Sequence, residues 1–129
     1  MENIKKLDIY IDALDFSNMI WNIVSSWDYF EKKTVGSQLI RSADSISANL
    51  AEGHGRFHFK ENLHFCYYAR GSFEETKDWL RKSYHRNLIS NNLQEKIEKF
   101  MQEYLKRLNS YIKYIKKEMN EYSSKKISS

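Results

Sequence analysis

Residues 35 to 53 read VGSQLIRSADSISANLAEG and carry two regular rows at once. Val35, Leu39, Ala43, Ile46, Leu50 and Gly53 step by 4, 4, 3, 4 and 3, which keeps one apolar stripe of a helix turned toward a partner. Gln38, Ser42, Ser45, Asn49 and Glu52 step by 4, 3, 4 and 3, and sit about 100° further round the same helix. Both rows are expected to face inward or nearly so, which makes this helix central. Serine and asparagine are poor helix formers in a helix interior, so something other than propensity placed them there. In one reading the small side chains let a neighbouring helix approach, and Asn49 and Glu52 meet its polar groups. In the other the row lines a ligand or catalytic site.

The rest of the chain supports more helices of the same kind. At 129 residues it makes one domain with one core. It has no proline, and its four glycines, Gly36, Gly53, Gly55 and Gly71, are too few for an all-β chain that turns every ~10 residues. Cys66 is the only cysteine, which rules out an intrachain disulfide and a cysteine-based zinc site and favours an intracellular home. No apolar run approaches the ~20 residues of a membrane span. The opening MENIKKLDIYIDALD is broken by acids where a secretion signal would be apolar, so a soluble cytoplasmic protein without a membrane partner is expected.

A first amphipathic helix is predicted from Asp8 to Trp27, with Ile9, Ala13, Phe16, Ile20, Ile23 and Trp27 on its stripe and Leu14 and Trp21 widening it. Asp28 followed by Glu31 has the form of a start signal for the second helix, which should stop at Gly53-His54-Gly55 on a left-handed glycine. The third runs from about Phe59 to Arg86, with Phe65, Ala69, Ser72, Phe73, Thr76 and Leu80 inward and Gly71 thinning it for close helix contact. Asn91 and Asn92 before Gln94 and Glu95 mark the start of the fourth, which carries Leu93, Ile97, Phe100, Tyr104, Leu108, Tyr111, Ile115 and Met119. The fold expected is an all-α, antiparallel up-down-up-down four-helix bundle over residues 1–122, followed by a flexible basic tail, 123–129. Ile40, Phe57, Phe59, Tyr67, Tyr68, Trp79, Met101, Leu105 and Ile112 lie off these stripes. Such a surplus points to a second buried surface, most simply self-association, or else to a wide core stripe with scattered exposed aromatics.

With both central helices in view, the chain resembles the bacterial four-helix-bundle family encoded in intervening sequences of 23S ribosomal RNA genes. The resemblance rests on Ser37, Gln38, Leu39, Arg41, Ala43, Ser45, Ile46, Asn49, Leu50, Ala51, Glu52 and Gly53, and on a second block, Ala69, Gly71, Ser72 and Glu75. The prolines common in the family at the positions of Ser47 and Asp28 are absent, and His58 replaces the usual cap before the third helix. The resemblance implies a ring-shaped homo-oligomer, possible pentamer formation and, by analogy with a related accessory protein, a reverse transcriptase as a protein partner. It implies no enzymatic activity. It also suggests that Gln38, Arg41, Ser45, Asn49 and Glu52 join Ser72 and Glu75 in one polar network between helices, fixing register more than stability.

For chemistry the residues offer little. His54, His58, His64 and His85 invite a metal reading, and Glu61 to His64 has the Glu-x-x-His spacing of di-iron bundles, but those sites need the motif twice. Neither metal nor cofactor is expected, and no catalytic residue is assigned. Cys66 reads as a small buried hydrophobe. Charge is more informative: residues 96–129 hold nine Lys or Arg against four acids, a balance of +5, and residues 1–95 hold twelve against thirteen, a balance of −1. Lys99, Lys106 and Lys113 repeat every seven residues, Lys117 extends the line, Arg107 and Lys116 flank it, and Tyr104, Tyr111, Tyr114 and Tyr122 are interleaved. Cations beside aromatics suit phosphates and bases, which makes nucleic acid the expected partner. The competing reading is a solvated face held by Glu95–Lys99 and Glu103–Arg107 pairs, with the tyrosines in the core.

Overall fold

The computed structural model describes residues 3–128, with side chains described for all of these except 5 and 126–128. After a 3-10 turn, Ile4–Lys6, come α1 (Asp8–Ser25), α2, α3 (Phe59–His85) and α4 (Asn91–Ser128). Helix α2 is one rod in three parts: the turn Tyr29–Glu31, a π-helical stretch Lys32–Gly36, and the regular helix Ser37–His54. No strand occurs among the described residues. Contacting pairs run in opposite directions along neighbouring helices. Arg41 meets Glu75 while Asn49 meets Ser72, and Phe16 stacks on Phe100 while Ile9 meets Tyr104. Together with Phe73 on Tyr104 and Phe59 on Tyr122, these pairs define an antiparallel four-helix bundle.

Every member of the apolar row in α2 is buried: Val35, Leu39, Ala43, Ile46, Leu50 and Gly53. Ile9, Ala13, Phe16 and Ile20 of α1 complete the facing surface, and Val24 extends it. Leu14 and Trp21 do not widen that stripe. Both are exposed, Trp21 by 59%, because they lie about a third of a turn from its centre. Met101 and Ile112 of α4 enter the core from outside the expected stripe, whereas Phe57 stays 87% exposed.

The polar row in α2 corrects the expectation that both rows face inward. At 100° per residue its members drift from about 50° off the apolar centre at Ser42, through Asn49, Gln38 and Ser45, to about 130° at Glu52. Burial follows that drift: Ser42 is buried, the next three are half-buried and Glu52 is exposed.

The glycines also differ from expectation. No glycine adopts positive φ; Gly55 sits at −76° and the left-handed residue is Asn87, at φ 59°. Asn87 closes α3, with its N–H donating to the Tyr84 carbonyl and the Leu88 N–H to Ser83. Gly53 instead permits close approach. A β-carbon there would stand 2.7 Å from Asn62 Oδ1 and 2.8 Å from Phe65 Cβ. Gly71 is exposed with nothing within 4 Å of such an atom, so no helix crosses there among the described residues.

Helix ends follow local chemistry. The Leu93 N–H donates to Ser90 Oγ at 3.3 Å, so Ser90, rather than Asn91 or Asn92, caps α4. Neither Asp28 nor His58 makes a side-chain cap bond. The regular part of α2 passes through Ser47 without interruption, the Ser47 hydroxyl donating to the Asp44 carbonyl. At the other end of the chain, the backbone of α4 remains helical to Ser128, past Tyr122 where the sequence reading places the tail boundary.

Candidate functional site

Two polar regions compete for attention: the α2–α3 seam and the outer face of α4. At the seam, the expected single network resolves into separate pieces. The Arg41 guanidinium donates to Gln38 Oε1 and pairs with Glu75, which also accepts from Trp79 Nε1 at 3.1 Å. Asn49 Nδ2 donates to the Ser45 carbonyl at 2.9 Å and reaches Ser72 Oγ at 3.5 Å. Glu52 stands apart, paired with Arg56 at 2.6 Å, because its place on the helix turns it toward solvent. The fully buried link, Thr76 Oγ1 to Ser42 Oγ at 3.0 Å, joins two residues the network reading left out. Its sequence signal was the coincidence of Ser42 on the inner edge of one helix with Thr76 on the stripe of the next.

These contacts are made within the chain, so the Asn49–Ser72 and Ser42–Thr76 stretch of the seam reads as structure. Toward the start of α2 the seam opens into a hollow of about 650 Å³ lined by Glu31, Lys33, Gln38, Trp79, Lys82 and Arg86. Histidines His58, His64 and His85 are exposed, and no three His, Cys, Asp or Glu side chains converge on a metal position among the described residues. Cys66 is buried beside Asn62 Oδ1 at 3.6 Å, and burial pushes its thiol up to about 12, which keeps it protonated and unreactive at neutral pH. A groove of about 590 Å³ between α3 and α4 is floored by Phe73, Leu80, Met101 and Leu105. The Tyr84 hydroxyl there has no hydrogen-bond partner among the described residues, and burial, with Glu98 close by, pushes it up to about 12.

On α4, Lys99, Lys106, Arg107, Lys113, Lys116 and Lys117 are all exposed, but they are not equivalent. Arg107 pairs with Asp12 of α1 at 2.5 Å and lies over the Tyr104 ring at 5.5 Å. Lys116 sits 5.6 Å from the centroid of Tyr67 on α3, a ring that Arg70 also approaches at 5.2 Å while donating to Asn109 Oδ1 at 3.0 Å. Lys99, Lys106, Lys113 and Lys117 have no ion pair or aromatic contact among the described residues. Neither Glu95–Lys99 nor Glu103–Arg107 forms as a pair, so the in-helix neutralisation expected of a solvated face is absent among the described residues. Seven residues of helix rise about 10.5 Å, which sets the spacing of the first three lysines.

The interleaved tyrosines divide as sharply. Tyr104 is 1% exposed, its hydroxyl donates to the Ile9 carbonyl at 2.8 Å, and burial raises its pKa. Tyr111 is half-buried against Asn62, and burial raises it as well. Those two serve the core. Tyr114 and Tyr122 remain exposed, though Tyr122 packs edge-on against Phe59.

Residues 5–110 match the family model of the 23S rRNA-intervening sequence protein. The chain belongs to that family. A solved structure described as a protein of unknown function from the S23 ribosomal protein family of Bacteroides thetaiotaomicron is similar at 25% identity, with a TM-score of 0.75. The likeness covers 81% of this chain and 95% of that one. No curated protein matches the chain. The family match ends within α4, at residue 110, so Lys113, Lys116 and Lys117 lie beyond it. No helix among the described residues is long and apolar enough to cross a membrane.

Proposed function

We propose that the protein is a non-catalytic, oligomeric bundle of the cytoplasm that binds nucleic acid through the outer face of α4, with little sequence readout. The observation that carries this reading is the row Lys99, Lys106, Lys113 and Lys117, four exposed cations that form no ion pair among the described residues. Unpaired cations at regular spacing on a helix are suited to phosphates, whose neutralisation releases counterions. Arg107 and Lys116 are engaged within the fold and act as secondary contacts. A ring-shaped pentamer, as the family resemblance implies, would repeat this weak patch, and linked copies bind far more tightly than one.

A salt series tests it. RNA affinity should fall steeply with salt, with a slope of about −3 per chain if four lysines each neutralise one phosphate at ~0.7 per contact. Lys106→Glu with Lys113→Glu should cut low-salt affinity by more than tenfold and flatten the slope. Assembly is tested by Asn49→Leu, which should leave a helical protein of altered oligomer size by light scattering.

A second reading is a protein-interaction or scaffold module, for instance an accessory subunit of a reverse transcriptase. It draws on Trp21, Tyr29, Phe30 and Phe57, large side chains that the bundle leaves exposed. Absence of RNA binding at low salt would favour it over the first.

A further inference from the structure

Phe100, Arg107 and Tyr114 follow one another at seven-residue steps and so lie on one flank of α4. Helix α1 covers that flank at its first two positions. Phe100 stacks on Phe16, with ring centroids 5.2 Å apart, and Arg107 pairs with Asp12. The regular helix α1 begins at Asp8, after the turn Ile4–Lys6, so its helical flank has ended two turns beyond Arg107. There Tyr114 stands 55% exposed, with the Tyr111 ring beside it at 6.4 Å and tilted by 30°. The free lysines Lys113 and Lys117 are its neighbours at one residue before and three residues after. Glu118, at the next position, is the nearest acid along the helix, with Glu121 a turn further.

An aromatic face open to solvent, with a second ring beside it and two unpaired cations one turn apart along one side, meets the needs of an unpaired base and its two phosphates. A duplex has no such base to give, since its faces are already stacked on one another. Lysines alone would not distinguish the two, because both present phosphates.

We propose that Tyr114 is a stacking platform for a base of single-stranded nucleic acid, with Lys113 and Lys117 holding the flanking phosphates. The inference rests on the nucleic-acid reading above and narrows its ligand to unpaired strands.

The test is fluorescence anisotropy of the full chain with a labelled single-stranded 12-nucleotide oligouridylate and with a 12-base-pair RNA duplex, both at low salt. The single strand should bind more tightly. Tyr114→Ala should weaken the single strand by about fivefold or more, the scale of one lost base stack, and leave the duplex unchanged. Tyr114→Phe should keep wild-type affinity, and circular dichroism should show all variants equally helical. Removing Glu118 charge with Glu118→Gln should tighten the single strand. Equal binding of strand and duplex, or an equal effect of Tyr114→Ala on both, overturns this inference and leaves the lysine reading standing. Absence of binding to either by the wild-type chain removes both.

Discussion

The α2–α3 seam and the outer face of α4 are both rich in polar residues, yet they differ in who answers those residues. At the seam Arg41 meets Glu75 and Gln38, Asn49 meets Ser72, and Thr76 meets Ser42, all within the chain. On α4, Lys99, Lys106, Lys113 and Lys117 project from the bundle with no answering acid among the described residues. A polar group paired inside its own fold is explained by that fold. An exposed row of like charge contributes nothing to folding and a little self-repulsion, so its explanation lies outside the chain.

That contrast can be broken most forcefully at two glycines, one packed in the seam and one turned away from it. Gly53→Ala should destabilise the protein by about 1–3 kcal/mol by overpacking, since the new β-carbon would press on Asn62 Oδ1 and Phe65 Cβ at fixed positions. Gly71→Ala, with open space around it, should instead stabilise by about 0.5–1 kcal/mol through helix propensity. Chemical denaturation of the pair decides the matter; similar signs would mean that the seam is looser than the contacts imply.

A weaker effect tests the buried side by pH. Burial raises the Cys66 thiol from 9.0 to about 12. The neutral thiol therefore contributes stability that is full below pH 9 and is lost as pH climbs from there through the folded value. Wild-type stability should decline between pH 9 and 10, and Cys66→Ala should be flatter over that window, before the unfolded-state tyrosines titrate near 10. Identical slopes would show that the thiol is better solvated than its place beside Asn62 indicates.

The smallest effect belongs to the outer face. Lys106→Glu with Lys113→Glu should change folding stability by no more than about 0.5 kcal/mol, as expected for surface sites without partners, while its effect on RNA affinity is large. A stability loss above 1 kcal/mol would place these lysines among the structural residues, with those of the seam.

Much of this was legible before any coordinates. The steps of 4 and 3 from Val35 to Gly53 define a buried stripe because a helix turns at a fixed angle per residue, and all six positions are buried. The same arithmetic, applied strictly, would have separated Ser42 from Glu52, whose drift round the helix carries it out to Arg56. The π-helical stretch Lys32–Gly36 left no such trace; at its end Gly36 lies so close to Val24 of α1 that a β-carbon there would stand 2.6 Å from its Cγ1.

For the candidate site, sequence could mark the cations and tyrosines of α4 but not sort them. Arg107 is answered by Asp12, Lys116 by Tyr67 and Tyr104 by Ile9, partners between 49 and 95 residues away along the chain. Local order, periodicity and total charge are properties of neighbouring residues and were set by the sequence alone. Which lysines stay free and which tyrosine stays open depend on where α1 begins beside α4. Only the folded chain decides that, because helix length and docking are settled by packing between distant segments.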